Sequence, residues 1–297
     1  MNHRQLVLLT SSWSKAYHWS FDTNLLVKKD RCDQYGNRII LSDLEKQRVY
    51  YFCNNCRKKT PILEGSILSG RKLSLLSFID FEYFFFNVSL NGAEMMKESN
   101  LGSNSTVVEW RKIFRNICLE TYILNAKKIG GPGTTVEIDE TLTFKRKYNR
   151  GRFKEEIWLV GGICRETKDV FITRVYDRTA KTMKQVISMW VAEGTTRINT
   201  DFWRAYNSAV SVIPSAEHCR VNHSERFVSD DGSHTQNIEC FWGVLKGWMR
   251  KNGYNKGRHD YIVEYMGEYL YKRRFGYCPM LFHKHINNYI NNFSNYS

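Results

Sequence analysis

Along the chain, the spacing of apolar residues is helical in one stretch and alternating in the next. Between about 71 and 130, apolar residues recur at helical intervals, in the nearly continuous segment KLSLLSFIDFEYFFFNV and, after the turn GSNS, in TVVEWRKIFRNICLETYIL. A short helix, NGAEMMKESNL, lies between them, so the segment resembles a helix-turn-helix of the kind that binds DNA. Basic residues of the longer helix that we expect to contact DNA are Arg111, Lys112 and Arg115. The alternative is a helical scaffold that merely has a basic face.

A linker, KKIGGPGTT, separates this segment from an alternating one, and Gly130 within it marks a domain boundary. Beyond the linker, the pattern predicts three consecutive strands, a helix, a fourth strand with a short helix, a fifth strand and a long final helix. This is the order of elements of the ribonuclease-H-like fold. We therefore expect residues 131–277 to form an α/β domain with a mixed five-stranded sheet and flanking helices, and residues 278–297 to form a polar tail.

The final helix begins in the stretch GSHTQNIECFWGVLK. Ser233 and Gln236 have the spacing of a capping box, which predicts that the helix starts at Ser233. The apolar face that should pack on the sheet consists of Ile238, Phe241, Trp242, Leu245, Trp248 and Met249. Glu239 and Lys246 are two turns apart, so they project within about 20° of each other at the edge of that face.

Three acidic residues are placed so that they could meet. Asp139 lies on the first strand, Asp201 ends the fourth, and Glu239 lies in the second turn of the final helix. Converging carboxylates of this kind hold two divalent ions, which activate a hydroxyl or water and stabilise the leaving oxygen at phosphorus. Mg²⁺ or Mn²⁺ suits such an all-oxygen site. His234, in the first turn of the final helix, would contact phosphate near the metals, or would simply be a solvated or capping residue.

Each of the three acids also has a plainer interpretation. Asp201 could cap the short helix that follows it. Asp139 belongs to the run VEIDE, in which Glu137 shares its strand face and Glu140 lies on the other. Asp139 could pair with one of the Lys and Arg residues just downstream. Glu239 could lie on an exposed face of the final helix.

The charge of the chain points to a polyanionic partner. Lys and Arg number 44 against 30 Asp and Glu, which gives a formal net charge of +14. Such an excess favours nucleic acid, although a basic protein without that role is the alternative. The run TFKRKYNRGRFK, just after Asp139, interleaves aromatic and basic residues, as do segments that follow a phosphate backbone; a solvated loop is its plainer interpretation. The basic residues of this run that we expect to contact DNA are Lys145, Arg146, Lys147, Arg150 and Arg152.

The N-terminal segment, residues 1–70, contains two turn-forming knuckles flanked by β-branched and aromatic residues, as in a zinc ribbon. A complete ribbon has four thiolates, and here Tyr35 stands where one of them is expected. The three thiols present are Cys32, Cys53 and Cys56. Because structural zinc takes four ligands, a fourth donor would have to come from Asp33, His18 or His3, or else the ribbon has lost its zinc.

No apolar run approaches the roughly 20 residues that span a bilayer, and the N-terminal LVLL is too short for a signal peptide. We therefore expect an intracellular protein without a membrane partner, located in the nucleus of a eukaryotic host or the cytoplasm of a bacterial one. Its eight cysteines are then thiols or metal ligands rather than a disulfide framework.

Five ordered motifs resemble the Merlin-type DDE transposases and their bacterial insertion-sequence relatives. The motifs are VEIDET, YDRTAKT, TDFWRAY, VNHSERFV and HTQNIECFWGVLK. The resemblance implies that Asp139 and Asp201 are metal-binding carboxylates. Some relatives have an asparagine at the third place of the last motif, where this chain has Gln236, so Glu239 is the natural third carboxylate. Lys246 matches a downstream basic residue of the family.

The resemblance further implies a transposase that cuts DNA at element ends and joins the freed 3′-hydroxyl to target DNA, with two metal ions and no covalent enzyme intermediate. The ribbon and the helical segment would recognise the terminal repeats. Because transposition brings two DNA ends together, we also expect a homo-oligomer on DNA. Two other functions stay open: a transposase-derived DNA-binding protein that no longer cuts, and a ribonuclease-H-like nuclease with other substrates.

Overall fold

The computed structural model of the protein describes residues 1–143, 156–221, 234–254 and 261–294. The chain divides into two compact units, one formed by Met1–Thr121 with Tyr271–Ser297 and the other by Tyr122–Leu270. The division therefore falls at Tyr122, a few residues before the linker that contains Gly130.

The first unit combines helices with a small antiparallel sheet. Its elements up to the division are α1 (His3–Leu9), α2 (Trp13–Asp22), β1 (Ile40–Leu41), β2 (Tyr50–Phe52), β3 (Lys59–Pro61), α3 (Leu75–Asn87), α4 (Gly92–Glu98) and α5 (Asn104–Leu124). The strands pair in the order β1-β2-β3, as expected for a ribbon. Side chains start the helices where the sequence offers cap residues: Ser74 accepts a hydrogen bond from Ser77 N, and Asn91 forms a capping box with Glu94.

Aromatic rings fill the core of this unit. The Phe114 ring packs edge-on against Phe78, Phe81 and Phe85, with ring centroids 5.2–5.6 Å apart. Such edge-to-face pairs are the favoured geometry for aromatic side chains. The nearly continuous apolar segment of the sequence is therefore a buried helix, as predicted.

The second unit combines strands with helices. The strands and helices of the second unit are β4 (Thr135–Leu142), β5 (Trp158–Cys164), β6 (Val170–Val175), α6 (Ala180–Trp190), β7 (Arg197–Asp201), α7 (Ala205–Ala209), β8 (Glu217–Val221), α8 (Gln236–Lys251) and α9 (Ile262–Phe275). Their order along the chain follows the alternation of apolar residues beyond the linker, and α9 continues past the division at Leu270.

A five-stranded mixed sheet forms the centre of the second unit, in the order β6-β5-β4-β7-β8. Strands β6, β5 and β4 are antiparallel neighbours, whereas β4, β7 and β8 run parallel. Helices α6 and α7 pack on one face of the sheet, and α8 and α9 on the other. This arrangement confirms the predicted α/β, ribonuclease-H-like fold.

The C-terminal segment, predicted to be a polar tail, is instead helix α10 (Pro279–Ser294). It belongs to the first unit, where Phe282 and Ile286 are buried. His283 is also buried, with Nε2 2.7 Å from the Glu82 carboxylate and Nδ1 2.9 Å from Thr23 Oγ1. The apolar positions recur at helical spacing, but the many Asn and His residues around them made the segment resemble a polar tail.

No helix within the described ranges is both long enough and apolar enough to cross a membrane.

Candidate active site

Two parallel strands place the predicted acids side by side. Strand β4 pairs with β7 so that Glu137 lies opposite Asn199, and two residues further along each strand come Asp139 and Asp201. A third carboxylate, Glu140, joins them, and one oxygen atom of each of the three acids lies within 4.8 Å of the others. The structure thus brings Asp139 and Asp201 together, as the sequence predicted, but with Glu140 as their immediate neighbour.

Asp139 is a largely buried carboxylate. Burial, together with the negative charges of Glu140 and Asp201, raises its pKa to about 7. Two hydrogen bonds oppose this shift, one with the backbone of Glu140 and one from the indole N–H of Trp242 on α8, which donates to Asp139 Oδ2 at 3.1 Å. A cation bound at this place would relieve the repulsion among the three acids.

Gly161 on β5 allows Trp242 to reach Asp139. The two residues Asp139 and Gly161 are paired across β4 and β5, and the Trp242 indole covers the glycine. A Cβ atom at Gly161 would lie 2.5 Å from Cη2 of that indole, which is closer than any normal contact.

We predict that Gly161→Ala displaces the Trp242 indole and lowers the free energy of unfolding by about 1–3 kcal/mol, the usual cost of overpacking a core. Urea unfolding followed by tryptophan fluorescence measures both effects. Gly247→Ala on α8 is the matched control, since a Cβ there meets nothing within 4 Å. Equal stability of the two variants would contradict the prediction.

Glu140 reaches the acid group from the opposite face of β4. Its carboxylate accepts a hydrogen bond from the Tyr206 hydroxyl at 2.7 Å and lies 3.5 Å from the Arg178 guanidinium, which stacks on the Trp158 ring at 3.7 Å. Burial nevertheless raises the pKa of Glu140. Glu140 belongs to the run VEIDE, but the alternation along the strand predicts that it lies on the opposite face from Asp139, because neighbouring residues on a strand point to opposite faces.

Asp201 does not cap the helix that follows it. Helix α7 has Arg204 at its N-cap position, without a side-chain hydrogen bond. The Asp201 carboxylate instead accepts a hydrogen bond from the backbone N–H of Trp203 at 3.0 Å, which closes a tight turn at the end of β7. The acid is therefore held at the strand end, beside Asp139.

The N-terminus of helix α8 is held by Glu137, a residue without a recognisable signal in the sequence. Glu137, fully buried, accepts hydrogen bonds from the backbone N–H groups of Asn237 and Ile238 at 2.9 and 3.1 Å, and from Asn237 Nδ2 at 2.7 Å. Arg165 donates to the same carboxylate from Nε at 2.6 Å. A carboxylate at a helix N-terminus satisfies free N–H groups and interacts favourably with the helix dipole.

This contact replaces the predicted capping box. Helix α8 starts at Gln236, with Thr235 at the N-cap position and no side-chain cap, and Gln236 is exposed. Ser233 lies outside the described residues. The helix therefore starts later than predicted, because Glu137 on β4 supplies the acceptor that local residues were expected to supply.

Glu239 and Lys246 lie on the helix face that carries Trp242. Glu239 is exposed, its carboxylate accepts a hydrogen bond from Thr235 Oγ1 at 2.9 Å, and it is not a member of the group of acids that lie within 4.8 Å of one another. The Lys246 ammonium donates to Thr141 Oγ1 at 2.5 Å. Thr141 lies two residues beyond Asp139 and therefore on the same face of β4. Lys246 thus lies close to the acids, whereas ligation by Glu239 stays a prediction.

His234 lies against Glu137 rather than in open solvent. Its Nδ1 is 3.5 Å from a Glu137 oxygen, and its backbone carbonyl accepts hydrogen bonds from Arg165 at 2.7 Å and Asn199 at 3.1 Å. These contacts fix the residue that leads into α8. A phosphate contact through His234 stays a prediction.

The basic residues predicted to contact DNA have different surroundings. Arg111 on α5 donates to the backbone carbonyl of Leu90 at 2.6 Å, and so joins α5 to the start of α4, whereas Lys112 is exposed. Arg115 is partly exposed. The predicted basic run lies outside the described residues: Lys145, Arg146, Lys147, Arg150 and Arg152. DNA contact by any of these residues stays a prediction.

The residues at the acid group fit a hard divalent cation that prefers oxygen ligands. The nearest donors are carboxylate oxygens, which Mg²⁺ and Mn²⁺ prefer, and three of them lie within 4.8 Å of one another. Burial and mutual repulsion raise the pKa of Asp139. A bound cation would lower this pKa again, because its positive charge favours the ionised carboxylate.

A second group of possible ligands lies in the ribbon of the first unit. The sulfur atoms of Cys32, Cys53 and Cys56 lie within 4.8 Å of one another, and those of Cys32 and Cys56 are 3.8 Å apart. Hydrogen bonds, chiefly from the backbone N–H of Cys56, lower the pKa of the Cys53 thiol to about 7. Thiolates favour zinc, so this cluster fits the predicted zinc-ribbon-like segment.

The predicted fourth donors are engaged elsewhere. Asp33 is 79% exposed and pairs with Lys29 at 3.0 Å. His18 Nδ1 lies 2.8 Å from Ser14 O, and His3 Nε2 lies 3.8 Å from Asp80. None of these three candidate donors joins the cysteine group.

Tyr35 occupies the position of the fourth thiolate. In the first knuckle Cys32 N bonds to Asn37 O and the residue after Tyr35, Gly36, has a positive φ; in the second knuckle Cys53 N bonds to Lys58 O and Arg57 has a positive φ. The two turns therefore have the same backbone form, and Tyr35 corresponds to Cys56.

We predict that Tyr35→Cys strengthens zinc binding by at least about tenfold, because it completes a four-thiolate site on a backbone already shaped for it. Competition with a chromogenic chelator measures the affinity of the full chain. Tyr50→Cys on β2 is a control that adds a thiol without joining the cluster. Equal zinc affinity of the wild type and Tyr35→Cys would show that the first knuckle cannot bind metal.

Comparison with known proteins places the second unit in a family. Residues 129–274 match the ISXO2-like transposase domain. No curated protein matches the chain.

Two solved structures resemble about half of the chain. One is described as a simian T-cell lymphotropic virus intasome in complex with PP2A regulatory subunit B56 gamma; the likeness has a TM-score of 0.33 and 17% identity, and covers 48% of this chain and 50% of that one. The other is the HTLV-2 integrase catalytic core domain in complex with magnesium, with the same TM-score and identity, over 49% of this chain and 88% of that one. The match thus spans half the length of the first structure, and likeness at this level carries no functional argument.

The ordered motifs, the ribonuclease-H-like sheet and the paired acids of β4 and β7 all lie within the matched segment. Residues 129–274 of this chain therefore belong to the ISXO2-like transposase domain family, a family of DDE transposases.

Proposed function

We propose that the chain is a DNA transposase that cuts DNA at the ends of its element and joins the freed 3′-hydroxyl to target DNA. The observation that carries the proposal is the meeting of Asp139 and Asp201 on adjacent strands within a transposase domain. In the first step water attacks phosphorus and the bond to the 3′-oxygen breaks, which leaves a 3′-hydroxyl. In the second step that hydroxyl attacks a target phosphodiester and displaces its 3′-oxygen.

Asp139 and Asp201 would hold Mg²⁺ or Mn²⁺, and such an ion supplies an activated oxygen nucleophile and charge stabilisation at the leaving oxygen. The protein's own groups orient these acids. The Trp242 indole N–H fixes one oxygen of Asp139, and the Trp203 backbone N–H fixes one oxygen of Asp201. Preorganised ligands of this kind avoid the cost of rearrangement during reaction.

We propose Glu239 as the third metal-binding carboxylate. It lies three residues before Trp242 on α8, and residues at that spacing share a helix face. Because Trp242 contacts Asp139, this face is directed at the acid group. Glu239 would exchange the hydroxyl of Thr235 for the metal.

Glu140 is the second candidate for the third ligand, favoured by its place within 4.8 Å of both aspartates. Against it stand the bonds of its carboxylate to Tyr206 and Arg178, which already compensate its charge. We therefore assign Glu140 the role of holding Arg178 and Tyr206 beside the site.

Lys246 would contact a DNA phosphate. Its ammonium reaches Thr141, two residues beyond Asp139, so a phosphate at the acids would lie close to it. The helix-turn-helix-like segment and the ribbon would bind the terminal repeats, and two copies of the chain on paired DNA ends would make the active assembly.

The test is cleavage of DNA that carries the inverted repeats flanking the gene, with purified full-length protein and Mn²⁺. Nicking confined to the repeat ends, followed by joining to a second DNA, supports the transposase. Tight binding without nicking would overturn it in favour of a DNA-binding protein, and nicking that ignores the repeats would overturn it in favour of a nuclease.

The third ligand has its own prediction. Glu239→Gln should lower the cleavage rate by at least about 10²-fold, because an amide does not bind a divalent ion as a carboxylate does. Glu140→Gln, which keeps an acceptor for the Tyr206 hydroxyl, should lose less than about tenfold. Single-turnover nicking in Mn²⁺ measures both variants, and the reverse order of effects would assign the third ligand to Glu140.

A further inference from the structure

The residue that follows Asp201 of the acid group in the chain is an exposed aromatic. Phe202 follows Asp201 in the chain and is 55% exposed, although its neighbour Trp203 turns inward and packs on Tyr206 with ring centroids 5.8 Å apart. The tight turn closed by Asp201 and Trp203 separates the two rings. An apolar ring that stays in solvent next to Asp201 in the chain offers a face on which a flat ligand can stack.

The Phe202 ring is held by a cation. Arg220 on β8 places its guanidinium 4.8 Å from the ring centroid, and the same group donates to Asn207 Oδ1 at 3.2 Å. Thr200, next to Asp201, pairs with Arg220 across β7 and β8, so the arginine lies on the strand beside the acid. One turn and one pair of strands thus position the Phe202 ring, the Arg220 guanidinium and the Asp201 carboxylate.

We propose that Phe202 and Arg220 form a stacking site for an unpaired nucleobase of the DNA strand whose phosphate lies at Asp139 and Asp201. The proposal rests on the proposed function. A base stacks on an aromatic face whatever its identity, and a guanidinium beside the ring can bond to the phosphate of the same nucleotide. The net charge of +14 brings such a strand to the surface.

An unpaired base at this place would give the site a preference for frayed or distorted DNA. Base pairs must open near a nick before a base can stack on protein, and opening costs a few kcal/mol. Stacking on Phe202 would return part of that cost, so the site selects ends that open easily.

The test uses a single-stranded thymidine 16-mer and the fully complementary adenine–thymine duplex, with wild-type full-length protein in EDTA so that nothing is cut. Phe202→Ala should weaken binding of the single strand by about tenfold, within the range of base–aromatic stacking, and leave binding of the duplex unchanged. Phe202→Trp, which keeps an aromatic face, should bind the single strand at least as tightly as wild type.

Two further measurements distinguish stacking from general surface effects. A strand with one 5-iododeoxyuridine should photo-crosslink to the peptide that contains Phe202. Met189→Ala on α6, which removes a side chain that is 62% exposed, should change neither binding nor crosslinking. Arg220→Gln should weaken binding of the single strand and reduce its salt dependence by about one phosphate contact.

Wild-type affinity of Phe202→Ala for the single strand, or crosslinks that all fall elsewhere, would overturn the stacking site. Such a result leaves the proposed function intact if the same protein cuts at repeat ends. Conversely, stacking without any cleavage in Mn²⁺ would retain this site and refute the transposase.

Discussion

Replacing Asp139 by asparagine should abolish metal-dependent DNA cleavage and, at the same time, stabilise the metal-free protein. The first effect follows from the loss of a metal-binding carboxylate, and we expect a decrease of at least about 10³-fold in the nicking rate. The second follows from burial, which raises the pKa of Asp139 to about 7. Asparagine can keep the hydrogen bond from Trp242 without carrying the buried charge.

The pH dependence has a definite sign. A raised pKa means that the folded state binds the proton of Asp139 more tightly than the unfolded state does. The stability that this proton contributes is complete below the ordinary aspartate pKa of about 3.9 and is lost as the pH rises toward 7. Asp139→Asn should therefore exceed the wild type by on the order of 2–4 kcal/mol at pH 8, and the gap should close as the pH falls toward 4.

Urea unfolding in EDTA at pH 8 and pH 5 measures the stability, and single-turnover nicking in Mn²⁺ measures the activity. Asp177→Asn is the matched control. Its carboxylate accepts hydrogen bonds from the Thr182 hydroxyl and from Thr179, which lower the pKa, so the control should lose stability above pH 4 and keep its cleavage activity. If Asp139→Asn and the wild type unfold at the same urea concentration at pH 8, the ionised Asp139 carboxylate does not destabilise the folded protein, and the prediction is wrong.

Replacing Glu137 by alanine should lower the free energy of unfolding by about 3–5 kcal/mol, the usual cost of removing one partner of a buried ion pair. The change leaves the partly buried Arg165 guanidinium without this carboxylate, and it leaves the N–H groups of Asn237 and Ile238 without their acceptor. Because α8 carries Trp242, the variant should also bind Mn²⁺ more weakly.

The matched control is Glu217→Ala. Glu217 on β8 pairs with Arg197 at 2.9 Å in the same sheet, but its side chain is 62% exposed, so its loss should cost less than about 1 kcal/mol. Urea unfolding of the two variants in one buffer decides the matter. Similar losses for Glu137→Ala and Glu217→Ala would refute the role of Glu137 as the anchor of α8.

Much of the fold could be predicted from local patterns. The alternation in TVEIDETL and the helical spacing in KLSLLSFIDFEYFFFNV depend only on neighbouring residues, and both segments form the predicted elements. The order of strands and helices then limited the possible sheets to a few. Helix α10 was missed because its buried residues stand among polar ones, and its packing partners lie at the other end of the sequence.

The candidate site could be predicted only in part. Asp139 lies on the first strand of the sheet and Asp201 ends a neighbouring parallel strand, so the order of elements is enough to bring them together. Glu137 showed no local signal, because its partners lie about 100 residues further along the chain. Alternation predicts that Glu140 lies on the opposite face of β4 from Asp139, and only the folded chain shows that its carboxylate lies within 4.8 Å of both aspartates.

The sequence by itself determined the strands and helices of the second unit, their order and the proximity of Asp139 and Asp201, because apolar periodicity and strand order are properties of short segments and of their succession. Only the tertiary structure decided what starts helix α8, which carboxylates stand nearest to each other, and that Phe202 stays exposed beside Arg220. These features depend on contacts between side chains that are distant in sequence. Their free energies come from burial and hydrogen bonding in the folded chain, which no local pattern records.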